Sequence, residues 1–130
     1  MGIVKEFWLF SRDGLPIAEY CNEENIDKSF IGGFVSAIKS FSQQLSKKGL
    51  KSFLLQNNKF MFISALEGSA IMVCRTDSDA KDKKIQKFCG EIEKILVELY
   101  KPEDILNWSG DRSFFDGFSK KLNGIFEKEI

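Results

Sequence analysis

Hydrophobic positions at the start of the chain are broken by turn residues in the pattern of a β-hairpin. The run Phe7 to Phe10, inside Ile3 to Ser11, predicts a first strand. Arg12-Asp13-Gly14 predicts a tight turn, because Asp-Gly readily supplies the positive φ that hairpin turns need. The chain resumes as a second strand over Leu15 to Cys21. Since Pro16 has no N–H to donate to a ladder, this second strand is expected at a sheet edge.

The next apolar stripe has helical spacing. It predicts a helix that begins near Asp27, a suitable N-cap, and closes at Lys47-Lys48-Gly49, where basic charge and glycine favour a helix C-terminus. Gly32-Gly33 inside this helix costs about 1 kcal/mol per glycine relative to alanine, which indicates a close approach of helix backbone to sheet. The apolar positions of the stripe are Phe30, Phe34, Ala37, Ile38, Phe41 and Leu45.

Three further strands are predicted in quick succession. They cover Lys51 to Gln56, Phe60 to Leu66, and Ala70 to Arg75, with short turns at Asn57-Asn58 and Glu67-Gly68-Ser69. The second and third of these strands have continuous apolar runs instead of alternation. Such runs indicate a sheet that is covered on both faces.

Two more helical stripes follow. The first is predicted to begin in the cluster of N-cap residues from Thr76 to Asp79 and to end at Pro102. A loop through Trp108-Ser109-Gly110 leads to the last helix, which is expected to be capped near Asp111 or Ser113. The apolar positions are Ile85, Phe88, Cys89, Ile92, Leu96 and Leu99 in the first, and Phe114, Phe115, Phe118, Leu122, Ile125 and Phe126 in the last. The order β-β-α-β-β-β-α-α predicts an α+β fold, in one domain that spans residues 1–130.

Charge and cysteine content indicate which kinds of partner the chain can bind and which cellular compartment suits it. The chain has 19 basic and 19 acidic residues, so it has no global positive field for nucleic-acid phosphates. No apolar run is long enough for a membrane span, and we expect no direct membrane insertion. The three cysteines, Cys21, Cys74 and Cys89, form no CxxC pair. This spacing predicts free, buried thiols in a reducing, cytoplasmic compartment.

The residue types that catalysis usually requires are scarce. The sequence has no histidine, which removes Ser–His and Cys–His nucleophile pairs, and it has no phosphate-binding glycine loop of a known type. An EF-hand loop starting at Asp77 would need glycine where Asp82 stands and glutamate where Phe88 stands. Helix capping therefore explains Asp77, Asp79 and Asp82 better than a metal site, and weak divalent binding is the alternative. We expect no catalytic residue, no cofactor and no metal, and a protein that is not an enzyme.

Three stretches have a familiar sequence pattern: Ser11 to Ile17, Phe30 to Ile38, and the closing block Phe114 to Phe118. With the order of elements, they resemble the longin domain, a profilin-like fold of the longin/roadblock superfamily, and in particular the stand-alone archaeal longin-type proteins. The resemblance implies a five-stranded antiparallel sheet with one helix on one face and two on the other. The related roadblock domain shares the Asp-Gly-Leu-Pro hairpin but normally begins with an extra helix.

Longin and roadblock domains bind small GTPases, SNAREs or other longin partners, and they dimerise. The resemblance therefore implies a non-catalytic protein-interaction module in small GTPase regulation or vesicle trafficking. The implied partner is a small GTPase or another longin or roadblock domain, with a homodimer also possible. The alternatives are a roadblock-type dimeric GTPase regulator or scaffold, and a small-molecule sensor of profilin- or PAS-like shape, which would need an apolar cavity of roughly a few hundred Å³.

Two surfaces are candidates for protein contacts. On the first predicted helix, Ile31 and Val35 form a second apolar stripe, rotated away from the core-facing one. This stripe either stays partly exposed for a partner or packs on the sheet margin. In longin order, Lys51 to Gln56 is the other edge strand, and Phe53 and Leu55 would then be available for strand addition, including homodimerisation through a continuous sheet.

Overall fold

The computed structural model describes residues 4–21, 50–55 and 58–129. At residues 21, 50–53, 55, 128 and 129 it describes the backbone and not the side chain. The predicted helix that begins near Asp27, with its second stripe of Ile31 and Val35, lies outside the described residues.

The sheet is antiparallel, and Pro16 begins one of its edge strands, as the sequence predicted. Within the described ranges it has five strands in the order β2-β1-β5-β4-β3. Phe10 lies opposite Pro16 beside an irregularity in the β1–β2 register, where a missing N–H is tolerated. The α+β class and the antiparallel pairing are confirmed. The strands are β1 (Val4–Ser11), β2 (Pro16–Cys21), β3 (Leu50–Leu55), β4 (Asn58–Ala65) and β5 (Ala70–Asp77).

Helical segments follow the last strand. They are α1 (Asp82–Leu99), the short helix α2 (Pro102–Leu106), a 3-10 turn over Arg112–Phe115, and α3 (Asp116–Glu129). Another 3-10 turn, Leu66–Gly68, connects β4 to β5. Asp111 caps the turn before α3, because its side chain accepts a hydrogen bond from the Ser113 N–H, as the sequence predicted.

One face of the sheet packs against α1 and α3. The ring of Phe126 on α3 lies 6.3 Å from that of Phe7 on β1, 4.0 Å from that of Tyr20 on β2 and 5.2 Å from that of Phe88 on α1, measured between centroids. Phe126 therefore joins two strands and two helices. The other buried side chains of this core include Leu9, Met61, Met72, Cys74, Ile85, Ile92, Leu96, Phe118 and Leu122.

The opposite face of the sheet is also buried. Successive side chains of a strand point to opposite faces of the sheet. On β1, β4 and β5, the residues that alternate with those of the first core therefore form a second buried cluster on the opposite face. The continuous apolar runs of the sequence are thus confirmed as strands that are buried on both sides. The second cluster consists of Trp8, Phe10, Phe60, Phe62, Ile71 and Val73.

The predicted start of α1 is wrong. Thr76 and Asp77 belong to β5, because β4 continues the ladder and places Asn58 opposite Asp77. The helix begins at Asp82, and its N-cap residue, Lys81, makes no side-chain capping bond. Pairing with β4 therefore determines the conformation of Thr76 and Asp77, although both residue types favour helix N-caps.

The segment after Pro102 also differs from the prediction. The sequence predicts a loop there, whereas the structure has the short helix α2, with Pro102 in its first turn. Proline suits this position because its missing N–H would have no partner within the helix. The Lys101 N–H donates a 2.8 Å hydrogen bond to Asp104, which fixes the start of this short helix.

Candidate interaction surface

The outer edge of β3 is the first candidate surface. In the described part of the chain, β3 pairs with β4 alone and ends the sheet order. In the register Phe53 lies opposite Phe60, and Leu55 lies opposite Asn58. The backbone thus places Phe53 and Leu55 on an edge strand, where the outer N–H and C=O groups can pair with another extended segment.

Leu54 is the one residue of β3 whose side chain the structure describes. It lies opposite Lys59, and 64% of it is exposed. Leu54 was not among the predicted contact residues, because the apolar run Phe53-Leu54-Leu55 lacks the alternation that would distinguish the two sides of the strand. The predicted edge position of the strand was the one signal in the sequence for a contact surface here. An edge position does not show which of the two faces of the strand has exposed side chains.

The β4–β5 turn has an unusual backbone. Three consecutive residues have positive φ: Leu66 at 48°, Glu67 at 54° and Gly68 at 86°. Only the glycine adopts this region without a steric penalty. Ser69 holds the turn, since its Oγ donates a 2.7 Å bond and its N–H a 3.1 Å bond to the Leu66 carbonyl. The Arg12 N–H of the first hairpin donates to the Ser69 carbonyl at 3.0 Å, so the two turns are tied together.

A cleft of about 440 Å³ lies between this turn and the C-terminal end of α1. Val97 is its most exposed apolar residue, at 56%. Acidic and basic side chains both line the cleft, so it suits contact with a protein surface better than enclosure of an apolar small molecule. The lining residues are Ser64, Ala65, Leu66, Glu67, Glu93, Val97, Tyr100, Lys101 and Pro102.

A second cleft, of about 500 Å³, lies around α2 and has an acidic lining. Asp111 accepts hydrogen bonds from the Ser113 N–H at 3.0 Å and the Ser113 Oγ at 2.8 Å. These two bonds favour the carboxylate and lower the pKa of Asp111. The Trp108 indole N–H donates to the Asp111 carbonyl at 2.8 Å. The lining residues are Glu103, Asp104, Asn107, Trp108, Ser109, Asp111, Ser113 and Phe114.

Two acidic residues on either side of the β5–α1 connection, Asp77 and Asp82, pair with lysines. Lys5 Nζ lies 2.6 Å from Asp77, and Lys59 Nζ lies 2.6 Å from Asp82. Lys59 also donates to the Ala80 carbonyl at 2.8 Å, which fixes the β5–α1 connection to β4. The described residues contain no group of three histidine, cysteine or acidic side chains that could hold a metal ion.

None of the helices in the described ranges is long and apolar enough to cross a membrane.

No protein family model matches the sequence, and no curated protein matches it. Among solved structures, the chain is similar to MglB of Myxococcus xanthus, with a TM-score of 0.51. The similarity covers 73% of this chain and 85% of MglB, at 17% sequence identity. At this identity the similarity shows the fold alone, and it supports a longin/roadblock-like fold for this chain.

Proposed function

We propose that this chain is a non-catalytic protein-interaction module of the longin/roadblock type that binds a small GTPase. Two observations carry the proposal: the antiparallel sheet with α1 and α3 on one face, and the overall similarity to MglB, which covers 73% of this chain and 85% of that one. The sequence resemblance supports the same superfamily separately, through the hairpin over Ser11 to Ile17 and the closing block Phe114 to Phe118.

The described surface supports a binding role. The β3 edge presents backbone groups and the exposed Leu54, and the cleft beside α1 presents Val97 next to charged side chains. Protein interfaces commonly combine such apolar contacts with a polar surround. The proposed contact residues are Ile31 and Val35 on the first predicted helix, with Phe53 and Leu55 on β3.

The finer parts of the proposal rest on the sequence. Length and the order of elements support a single domain over residues 1–130, and the unpaired cysteines support a cytoplasmic location. The resemblance supports a stand-alone protein of the archaeal longin type with a role in small GTPase regulation or vesicle trafficking. A roadblock-type dimeric regulator or scaffold is the second candidate. The observation that favours it is the free side of the β3 edge within the described residues, which suits pairing with a second copy.

Binding to small GTPases tests the proposal. Each small GTPase of the source organism is loaded with GDP or with a non-hydrolysable GTP analogue, and its affinity for the full chain is measured by calorimetry. We expect one GTPase to bind with a preference of about tenfold or more for one nucleotide state. If no GTPase binds in either state, the proposal is wrong.

Matched variants locate the surface. If the GTPase contacts the first predicted helix, Val35→Glu should weaken binding. If it contacts the β3 edge, Leu54→Glu should weaken binding. Leu15→Glu is the control, because Leu15 is 49% exposed and lies in the β1–β2 hairpin. Circular dichroism establishes that each variant is folded. If both test variants bind as tightly as the control, neither proposed surface contacts the GTPase.

A further inference from the structure

Two cysteines that are distant in sequence meet between the sheet and α1. Cys74 lies on β5 and Cys89 on α1, and their Sγ atoms are 2.8 Å apart. Both are free thiols, with 0% and 1% of their surface exposed. The S–S bond of a disulfide is about 2.05 Å long, so the two sulfurs need to approach by less than about 1 Å. The fold therefore creates a pairing that the spacing of the cysteines did not suggest.

We propose that Cys74 and Cys89 form an intramolecular disulfide that fixes α1 on β5, with a hydroperoxide as the oxidant. This inference is independent of the proposed GTPase binding. It extends the sequence prediction of free thiols, which describes the reduced form, by adding an oxidised form in which a covalent bond joins the helix to the central strand of the sheet.

The chemistry is a two-step oxidation. One sulfur, as the thiolate, attacks an oxygen of hydrogen peroxide, so an S–O bond forms, the O–O bond breaks and the hydroxide released takes up a proton to become water. The second sulfur then loses its proton and attacks the sulfenic sulfur, so the S–S bond forms, the S–O bond breaks and a second water leaves. In total, two thiols lose two electrons and two protons, and the peroxide becomes two waters.

Burial sets the rate and the selectivity of this oxidation. Burial, and then the contact with Cys89, raises the pKa of the Cys74 thiol well above its ordinary value, so little thiolate is present at neutral pH. The oxidant also needs a transient movement of α1 away from β5 to reach either sulfur. We therefore expect slow oxidation. Once one sulfur is oxidised, its neighbour is close enough to close the disulfide before further oxidation to a sulfinic acid.

Peptide mapping of the full chain tests the proposal. The reduced protein is incubated with hydrogen peroxide under native conditions, the remaining thiols are alkylated in denaturant, and trypsin is added. We expect peptides 60–75 and 88–94, which contain Cys74 and Cys89, to be linked with the loss of two hydrogen atoms, and Cys21 to be alkylated. The linked protein should unfold at a temperature higher by about 10 °C, and dithiothreitol should reverse this change.

Cys89→Ala is the matched control, since alanine keeps an apolar side chain at this buried position. It should show no linked peptide and no oxidant-dependent rise in unfolding temperature. A link through Cys21, a sulfinic acid on either peptide without a link, or two unlinked peptides after prolonged exposure would each overturn the proposal. The same is true if the link forms only when the oxidant is added in denaturant. The peptide map of the unsubstituted chain decides the question even if the variant does not fold.

Discussion

Arg75 on β5 donates a 2.6 Å hydrogen bond to Glu6 on β1, and both side chains are largely buried, with 14% and 5% exposed. The two residues lie opposite each other in the register of the ladder. Arg75 also donates a 2.8 Å bond to Asn58 on β4, so a polar network crosses three neighbouring strands. Charges in such a position are costly to desolvate, and each depends on its partner.

Removal of the Glu6 charge should therefore destabilise the fold. Glu6→Gln removes the Glu6 carboxylate from the largely buried Arg75 guanidinium, and we expect the free energy of unfolding to fall by about 3 kcal/mol. Urea denaturation measures this change. Glu19→Gln is the control, because the Glu19–Arg112 pair is 3.6 Å apart and about half exposed, and the expected loss is below about 1 kcal/mol. Equal losses in the two variants would show that burial of the Glu6–Arg75 pair does not matter.

Phe126 should be one of the most sensitive positions in the core. It is 1% exposed, and its ring contacts those of Phe7, Tyr20 and Phe88, so Phe126→Ala would leave a cavity where four elements meet. We expect the free energy of unfolding to fall by about 4 kcal/mol in urea denaturation. Phe114→Ala is the control, because Phe114 is 49% exposed, and its loss should be about 1 kcal/mol. A loss for Phe126→Ala no larger than that of the control would mean that α3 adds little to the core.

A substitution in the β4–β5 turn is expected to increase the stability of the fold. Glu67 is exposed and has a φ of 54°, a conformation that strains a residue with a side chain. Glu67→Gly relieves this strain at some cost in chain entropy, so we expect a gain of roughly 0.5 kcal/mol in stability. The same change at the exposed Glu91, within α1, should cost about 1 kcal/mol. Thermal unfolding of the two variants measures both effects, and a loss for Glu67→Gly would show that the turn is not strained.

Sequence pattern predicted local structure well and long-range geometry poorly. The apolar runs around Phe60 and Ile71 identified strands that are buried on both faces, and Pro16 identified an edge. The start of α1 at Asp82 depended on the length of the β4–β5 ladder, which is a cross-strand property that local capping preference does not contain. The 2.8 Å approach of Cys74 and Cys89 also requires the fold, because it joins a strand to a helix.

The candidate site was predictable only in part, for a similar reason. The edge position of β3 follows from the longin resemblance, and the register confirms that Phe53 and Leu55 belong to an edge strand. Exposure of Leu54 depends on which side of the strand is left uncovered, and that is set by the other layers of the fold. The contact roles of Ile31, Val35, Phe53 and Leu55 stay predictions.

Asp111 should make stability depend on pH in the acidic range. Its pKa is lowered in the folded chain by the hydrogen bonds from Ser113, so its contribution is present above its ordinary pKa of about 4 and is lost as pH falls through the lowered value. The difference in unfolding temperature between the unsubstituted chain and Asp111→Ala should therefore be present near about pH 6 and shrink below about pH 4. Ser113→Ala keeps the backbone donor and should remove only part of this difference. A difference that is constant with pH would contradict the prediction.

Leu54 on the β3 edge offers a direct test of homodimerisation. If two copies pair through this edge, Leu54→Lys places a charged ammonium where a second strand would approach, and dimers should dissociate because that charge would lose water without gaining a partner. Light scattering coupled to size-exclusion chromatography, over a range of concentrations, should show a dimer for the unsubstituted chain and a monomer for the variant. Leu15→Lys, at a residue 49% exposed in the β1–β2 hairpin, is the control and should remain a dimer. A chain that is monomeric at every concentration would exclude the edge-paired dimer. A Leu54→Lys variant that dimerises as tightly as the control would place the contact elsewhere on the molecule.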